Sequence, residues 1–245
     1  MYQPRTYRQW VSAPGKDDLV SFSVVVKESD LLIRARSNLK ARAMAATGEC
    51  RAQLEKYIDS HPLFAISLEP LPVSEDAPSL VKEMAEAGRM VGVGPMAAVA
   101  GAIAEAVGKA LLPYSDEVIV ENGGDIFIRT ARERQIGVYA GESPLTGRIA
   151  FAISPGETPL GICTSSGSVG HSLSFGNADA VTVFSPSTAL ADAAATAIGN
   201  RVKSSADIPE ALEFAQGIAN LRGVAIIIGE HIGFWGQLRL VEAQP

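Results

Sequence analysis

Residues 118–129 read Val-Ile-Val-Glu-Asn-Gly-Gly-Asp-Ile-Phe-Ile-Arg. Two runs rich in β-branched and aromatic residues, 118–120 and 126–129, flank Asn122-Gly123-Gly124-Asp125. Such runs read as strands. Adjacent glycines supply the positive φ that a tight turn or a close ligand requires. The same pattern recurs outward. Residues 19–28 and 31–36 read as a hairpin turning at Ser29-Asp30, 135–140 and 148–153 as a pair joined by GESPLTG, and 223–228 and 234–241 as closing strands. Residues 180–184 read as a further strand, and the Gly-, Ser- and Thr-rich stretch 161–177 as a loop.

Helical signals fall in blocks between these pairs. Asn38 suits the cap of a helix running to about residue 59, which His61-Pro62 ends because a residue before proline avoids the helical region. Ser79 opens a helix to about residue 88. Pro95 suits the first turn of a small-residue helix over 96–112. Ser187 or Thr188 caps a helix over 189–202, and 208–219 reads as another. Paired strands with helices in blocks predict an α+β fold, a largely antiparallel sheet with packed helices, rather than a doubly wound parallel sheet. Residues 1–245 read as one domain.

The chain has 245 residues, 47% apolar and 20% charged, with 23 Gly and 14 Pro. That composition excludes collagen, coiled coil and intrinsic disorder. The 21 basic residues against 27 acidic ones give a net charge of −6, which argues against general electrostatic capture of nucleic acid. Mean hydropathy is +0.16, so a membrane span has to be considered. The most apolar stretch, 90–112, is interrupted by Glu105 and Lys109 and punctuated by glycines, which favours a buried loop and helix over a span. It could pack internally or at a contact between subunits. The first residues carry no apolar signal-peptide core, and two cysteines give no disulfide framework. The expectation is a cytoplasmic protein with a small-molecule ligand and neither a nucleic-acid nor a membrane partner.

Three constellations carry the chemistry. In the first, Asn122, Gly123, Gly124 and Asp125 either line a ligand or form a plain hairpin turn. In the second, Cys163-Thr164-Ser165-Ser166-Gly167 and His171 offer hydroxyls and glycines suited to an anion, since successive backbone N–H groups make anion-binding concavities. A nucleophile reading pairs Cys163, Ser165 or Ser166 with His171, and a polar surface loop is the plainer alternative. Cys163 alone reads as a small buried residue. In the third, Asp192 and Thr196 stand four apart among alanines and share one helix face. A carboxylate there needs a partner, which a hard cation such as Mg²⁺ would supply. The alternative has Asp192 facing solvent near a helix start. Trp10 and Trp235 read as packing anchors.

Together, VGVGPMAAVAGAIAE, VIVENGGDI, GICTSSGSVGHSLSFG and ADAAATA resemble, in residues and order, the ApbE family, the Mg²⁺-dependent FAD:protein FMN transferases. The match is nearest to a shorter cytoplasmic branch, over almost the whole chain; with the transferases proper it covers roughly residues 90–200. The resemblance implies an ApbE-like α+β fold with Mg²⁺ and FAD or another flavin nucleotide as cofactors. Asp192 and Thr196 would be Mg²⁺ ligands, joined by a backbone carbonyl from 92–98. Asn122, Gly123, Gly124 and Asp125 would line the pocket; Thr164, Ser165, Ser166 and Gly167 would approach the pyrophosphate. His171 would act as general acid or base. HSLSFGNADA stands where the family has Asp-Pro-x-Thr-Gly, and GPMAAVAGAIAE lacks the lysine of the family's Gly-Gly-Ile-Ala-Lys-Gly. A flavin- or nucleotide-binding protein without catalysis is therefore the second reading.

Overall fold

The computed structural model describes residues 11–12, 18–167 and 175–243. In chain order the strands are β1 (Val11–Ser12), β2 (Val20–Val26), β3 (Ser29–Ala35), β4 (Val118–Asn122), β5 (Asp125–Arg129), β6 (Arg134–Gly137), β7 (Ile149–Ile153), β8 (Leu160–Ser165), β9 (Ala180–Ser185), β10 (Gly223–Ile228), β11 (His231–Gly236) and β12 (Leu240–Glu242). The α-helices are α1 (Lys40–Ser60), α2 (Leu63–Ile66), α3 (Ser79–Val91), α4 (Val99–Leu111), α5 (Thr188–Gly199) and α6 (Ile208–Gln216).

Residues 118–129 form the hairpin their sequence predicts. Only Gly123 and Gly124 separate β4 from β5, at φ +73° and +106°. This positive-φ pair matches the twist of the flanking strands in a two-residue turn. The hairpin lies inside an eight-stranded, wholly antiparallel sheet ordered β11-β10-β9-β8-β5-β4-β3-β2. A second sheet runs β1-β6-β7-β12.

Side-chain alternation along β4 and β5 gives three layers. Val118, Val120 and Phe127 join the core formed with α1, α3, α4 and α5. Ile119, Ile126 and Ile128 point the other way, onto Ile136, Phe151 and Ile153 of the four-stranded sheet. Because both faces are covered, these strands read as unbroken apolar runs, a pattern more typical of parallel sheets. The turn, not the run, makes the pairing antiparallel.

Two details differ from the sequence reading. The β2–β3 turn lies at Lys27-Glu28, not Ser29-Asp30, with Lys27 at φ +53°; Ser29 and Asp30 are buried in the ladder. Residues 161–165 are not loop but most of β8, held between β5 and β9; pairing on both sides overrides the weak strand propensity of Gly, Ser and Thr. Asn38 accepts a hydrogen bond from the Lys40 N–H at 3.0 Å, and Ser187 caps α5 by accepting from the Leu190 N–H at 3.2 Å. The stretch Pro95–Tyr114 is long and apolar enough to cross a membrane. Its helix α4 nevertheless sits in the core between β4, β5 and α5. Trp235 packs against the helical core, and Trp10 lies outside the described residues.

Candidate functional site

The three constellations converge where β4 and β8 end and β5 begins, beneath the N-terminus of α4 and beside α5. Period-2 alternation decides which side chains take part. Asn122 and Asp125 share the face of Val120 and Phe127, toward the helices. Asn122 Nδ2 donates to the Ala100 carbonyl at 3.0 Å. Asp125 stands opposite Cys163 in the ladder. Cys163 and Ser165 lie on that same face, with the Cys163 thiol donating to the Thr188 carbonyl at 3.4 Å. Thr164 lies on the opposite face, its hydroxyl 3.0 Å from that of Thr182. The structure thus separates Thr164 from Ser165, which the sequence reading grouped. Gly167 continues past the strand, its N–H donating to Ala178 at 2.9 Å, and Ser166 is half-buried beside it. His171 lies outside the described residues.

On α5, Asp192 and Thr196 are both buried. Asp192 therefore does not face solvent. Its Oδ2 accepts the Gly101 N–H at 2.8 Å, at the start of α4, where the helix dipole favours an anion. Burial pushes the Asp192 carboxyl up to about 7, against the lowering by the N–H groups of Gly101 and Ala100. Asp125 is also pushed well above the ordinary carboxylate range, first by burial, then by the charges of Asp192 and Glu121; the Cys163 thiol and the Thr164 N–H oppose this. The Cys163 thiol is pushed far up by burial and by Asp125 and Asp192. A buried, protonated thiol is a poor nucleophile, so the Cys163 hydrolase reading lacks its reactive group.

The site's two buried carboxylates repel each other, and among the described residues no salt bridge reaches either. The Ser165 hydroxyl is buried with no hydrogen-bond partner among the described residues. No group of three or more His, Cys, Asp or Glu there is arranged to hold a metal. A cation at this place would rest on carboxylate, hydroxyl and backbone oxygens, the donor set of a hard ion.

One residue outside the sequence reading of the site completes its frame. Glu105, buried on α4, accepts the Thr188 N–H at 2.6 Å and pairs with Lys109 at 2.7 Å. The two helices therefore cap each other: α5 supplies Asp192 to α4, and α4 supplies Glu105 to α5. The available signal was a carboxylate and a lysine four apart, Glu105 and Lys109, inside an otherwise apolar helix. Gly101 permits the contact, since a Cβ there would fall 2.5 Å from the Thr188 carbonyl oxygen and 2.8 Å from Asp192 Cβ.

The profile of the family described as AbpE bacteria matches residues 8–238, so the chain belongs to that family. It is 46% identical over 193 residues to a UPF0280 protein of Methanococcus aeolicus, covering 77% of this chain and 78% of that one. A UPF0280 protein of Methanocaldococcus jannaschii is 42% identical over 221 residues, 88% of this chain and 90% of the relative. Among solved structures, the ApbE protein of Thermotoga maritima aligns with a TM-score of 0.63 at 12% identity, over 88% of this chain and 96% of its own. The apo flavinyl transferase ApbE of Pseudomonas stutzeri aligns at 0.55 and 14%, over 91% and 96%. The fold is the ApbE α+β fold.

Proposed function

We propose that this chain, acting as one domain in the cytoplasm, binds a flavin nucleotide such as FAD with Mg²⁺ and catalyses transfer or hydrolysis at its pyrophosphate. The observation that carries this reading is the pair of buried carboxylates, Asp125 and Asp192, with no counter-ion among the described residues. Asp192 and Thr196 would hold Mg²⁺, joined by a backbone carbonyl from 92–98. When bound, Mg²⁺ supplies neutralisation of pyrophosphate charge. Asn122, Gly123, Gly124 and Asp125 would line the flavin or ribityl side, where the absence of side chains at the turn leaves room for a ring. Ser165, Ser166 and Gly167 would approach the phosphate oxygens; Thr164, facing away, would contribute through its backbone. His171 would give or take the proton at the leaving or attacking oxygen.

The second reading is a flavin- or anionic-metabolite-binding protein without turnover, favoured by the missing lysine and Asp-Pro-x-Thr-Gly segment. Calorimetry with FAD, FMN and ADP, with and without Mg²⁺, tests both. The enzyme reading expects Mg²⁺-dependent binding that Asp192→Asn removes, together with product from FAD. Tight binding with no product selects the second reading, and absence of binding by all three overturns both.

A further inference from the structure

Residues 175–178, Phe-Gly-Asn-Ala, belong to the segment that departs from the family's Asp-Pro-x-Thr-Gly, and their backbone is fastened to the end of α5. Asn200 Oδ1 accepts the Phe175 N–H at 2.8 Å. The Asn177 N–H donates to the Val202 carbonyl at 2.8 Å, and its Nδ2 to the Lys203 carbonyl at 3.0 Å. Gly176 lies so near the helix end that a Cβ there would stand 1.8 Å from the Gly199 carbonyl oxygen. On its other side it meets Gly167, whose Cβ would fall 2.2 Å from the Gly176 carbonyl oxygen and whose N–H donates to Ala178 at 2.9 Å. Phe175 is thus mounted between two parts of the candidate site, the helix that bears Asp192 and Thr196 and the chain that bears Ser165 and Ser166.

On this fixed backbone the side chain is 53% exposed. Among the described residues no ring or cation packs on it. The other exposed aromatics differ. Tyr114 lies beneath the Arg42 guanidinium, 3.7 Å from its ring centre, and Phe234 is on the outer strand β11, at the sheet's edge. A phenyl ring left in water beside hydroxyls and backbone N–H groups suits a ligand that brings its own apolar face together with anionic oxygens.

Two rulers place Phe175 relative to the carboxylates. Along α5, Gly199 follows Asp192 by seven residues on the same face, about 10 Å at the helical rise. Along the chain, Gly167 follows Thr164 by three residues, about 10 Å when extended. The Thr164 carbonyl oxygen is the atom that a Cβ on Gly124 would meet, at 3.6 Å. Phe175 therefore stands beyond Ser165–Gly167 from the hairpin turn. A ligand with phosphates at 165–167 and one ring at Gly123-Gly124 would carry its second ring toward Phe175.

We propose that Phe175 is the platform on which the adenine ring of a dinucleotide stacks, with Asn200 as the positioning residue that fixes it there. This assignment rests on the flavin-nucleotide reading and adds to it which end of the ligand lies where. Calorimetry on the full chain with Mg²⁺ compares FAD and ADP, which carry adenine, with FMN, which does not. In the parent protein FAD binds more tightly than FMN. Phe175→Ala weakens FAD and ADP about tenfold, the size of one base–aromatic stacking contact, and leaves FMN unchanged. Phe175→Trp keeps or strengthens FAD and ADP. Asn200→Ala repeats the selective loss at an unchanged FMN affinity, which a general loosening of α5 would not do. FAD no tighter than FMN in the parent, FAD indifferent to Phe175→Ala, or an equal loss of FMN in either alanine variant overturns this assignment while the flavin-nucleotide reading stands. A parent protein that binds none of the three overturns that reading, and this assignment with it.

Discussion

The Asp192 carboxylate and the Gly101 N–H meet at 2.8 Å across 91 residues of sequence, one at the start of α5 and the other at the start of α4. Reciprocally, Glu105 of α4 receives the N–H of Thr188, the first residue of α5. The pairing holds an acidic group at a helix N-terminus, where partial positive charge gathers. The Ala100 N–H adds to that of Gly101 in holding the carboxylate.

Gly101→Ala inserts a methyl group into this contact, 2.5 Å from a backbone oxygen that cannot rotate away. Over-packing of this kind costs about 1–3 kcal/mol. A lower urea midpoint with unchanged denaturant slope is expected, and full wild-type stability would show that α4 and α5 are less tightly joined than described.

The raised Asp192 carboxyl sets a sign for pH dependence. Its folded value of about 7 exceeds the unfolded 3.8, so between them the folded state holds a proton that the unfolded state has released. Stability is then greatest at low pH on this account and declines as pH rises through about 7. Urea melts of metal-free protein from about pH 4 to about pH 8 should show the decline, and Asp192→Asn should flatten it. Added Mg²⁺ should raise the high-pH midpoint in the parent protein and leave the variant unmoved.

Glu105→Ala strips the Thr188 N–H of its acceptor in a buried place. An unsatisfied buried donor costs about 1–3 kcal/mol. Glu105→Gln keeps an acceptor and loses only the pairing to half-exposed Lys109, which is worth about 1 kcal/mol or less. Thermal melts should therefore rank parent, Gln and Ala in that order; an equal loss in both variants would place the effect in the charge instead.

Neither described cysteine should react readily. Burial pushes the Cys50 thiol up to about 11, so at pH 8 about one molecule in a thousand carries the thiolate. Cys163 is shifted further in the same direction by burial and two neighbouring aspartates. Titration with a thiol-specific chromogenic disulfide should be slow in the native protein and rapid in urea. Fast native labelling of Cys163 would restore the thiol-hydrolase reading.

The β4–β5 hairpin was legible because turn residues and apolar runs each act locally. The helix boundaries followed from caps and prolines, as at Asn38, Pro62 and Ser187. The strand β8 was not legible, because Gly161, Thr164 and Ser165 become a strand only through β5 and β9, which lie far away in sequence. For the same reason Thr164 and Ser165, adjacent in a motif, were grouped although the pleat sends them to opposite faces. The pairing of Asp125 with Asp192 and the role of Glu105 depend on tertiary contact, and no spacing in the sequence encodes it.

The mutual capping of α4 and α5 also bears on how the protein opens. Neither helix can fray at its N-terminus without releasing the other's buried carboxylate into an apolar layer. The two should therefore unlock as one cooperative unit, with the amides of Gly101 and Thr188 exchanging hydrogen at matched rates. The ledge they form beside the hairpin turn would then be either fully assembled or wholly absent, with no half-open form sampled by thermal motion.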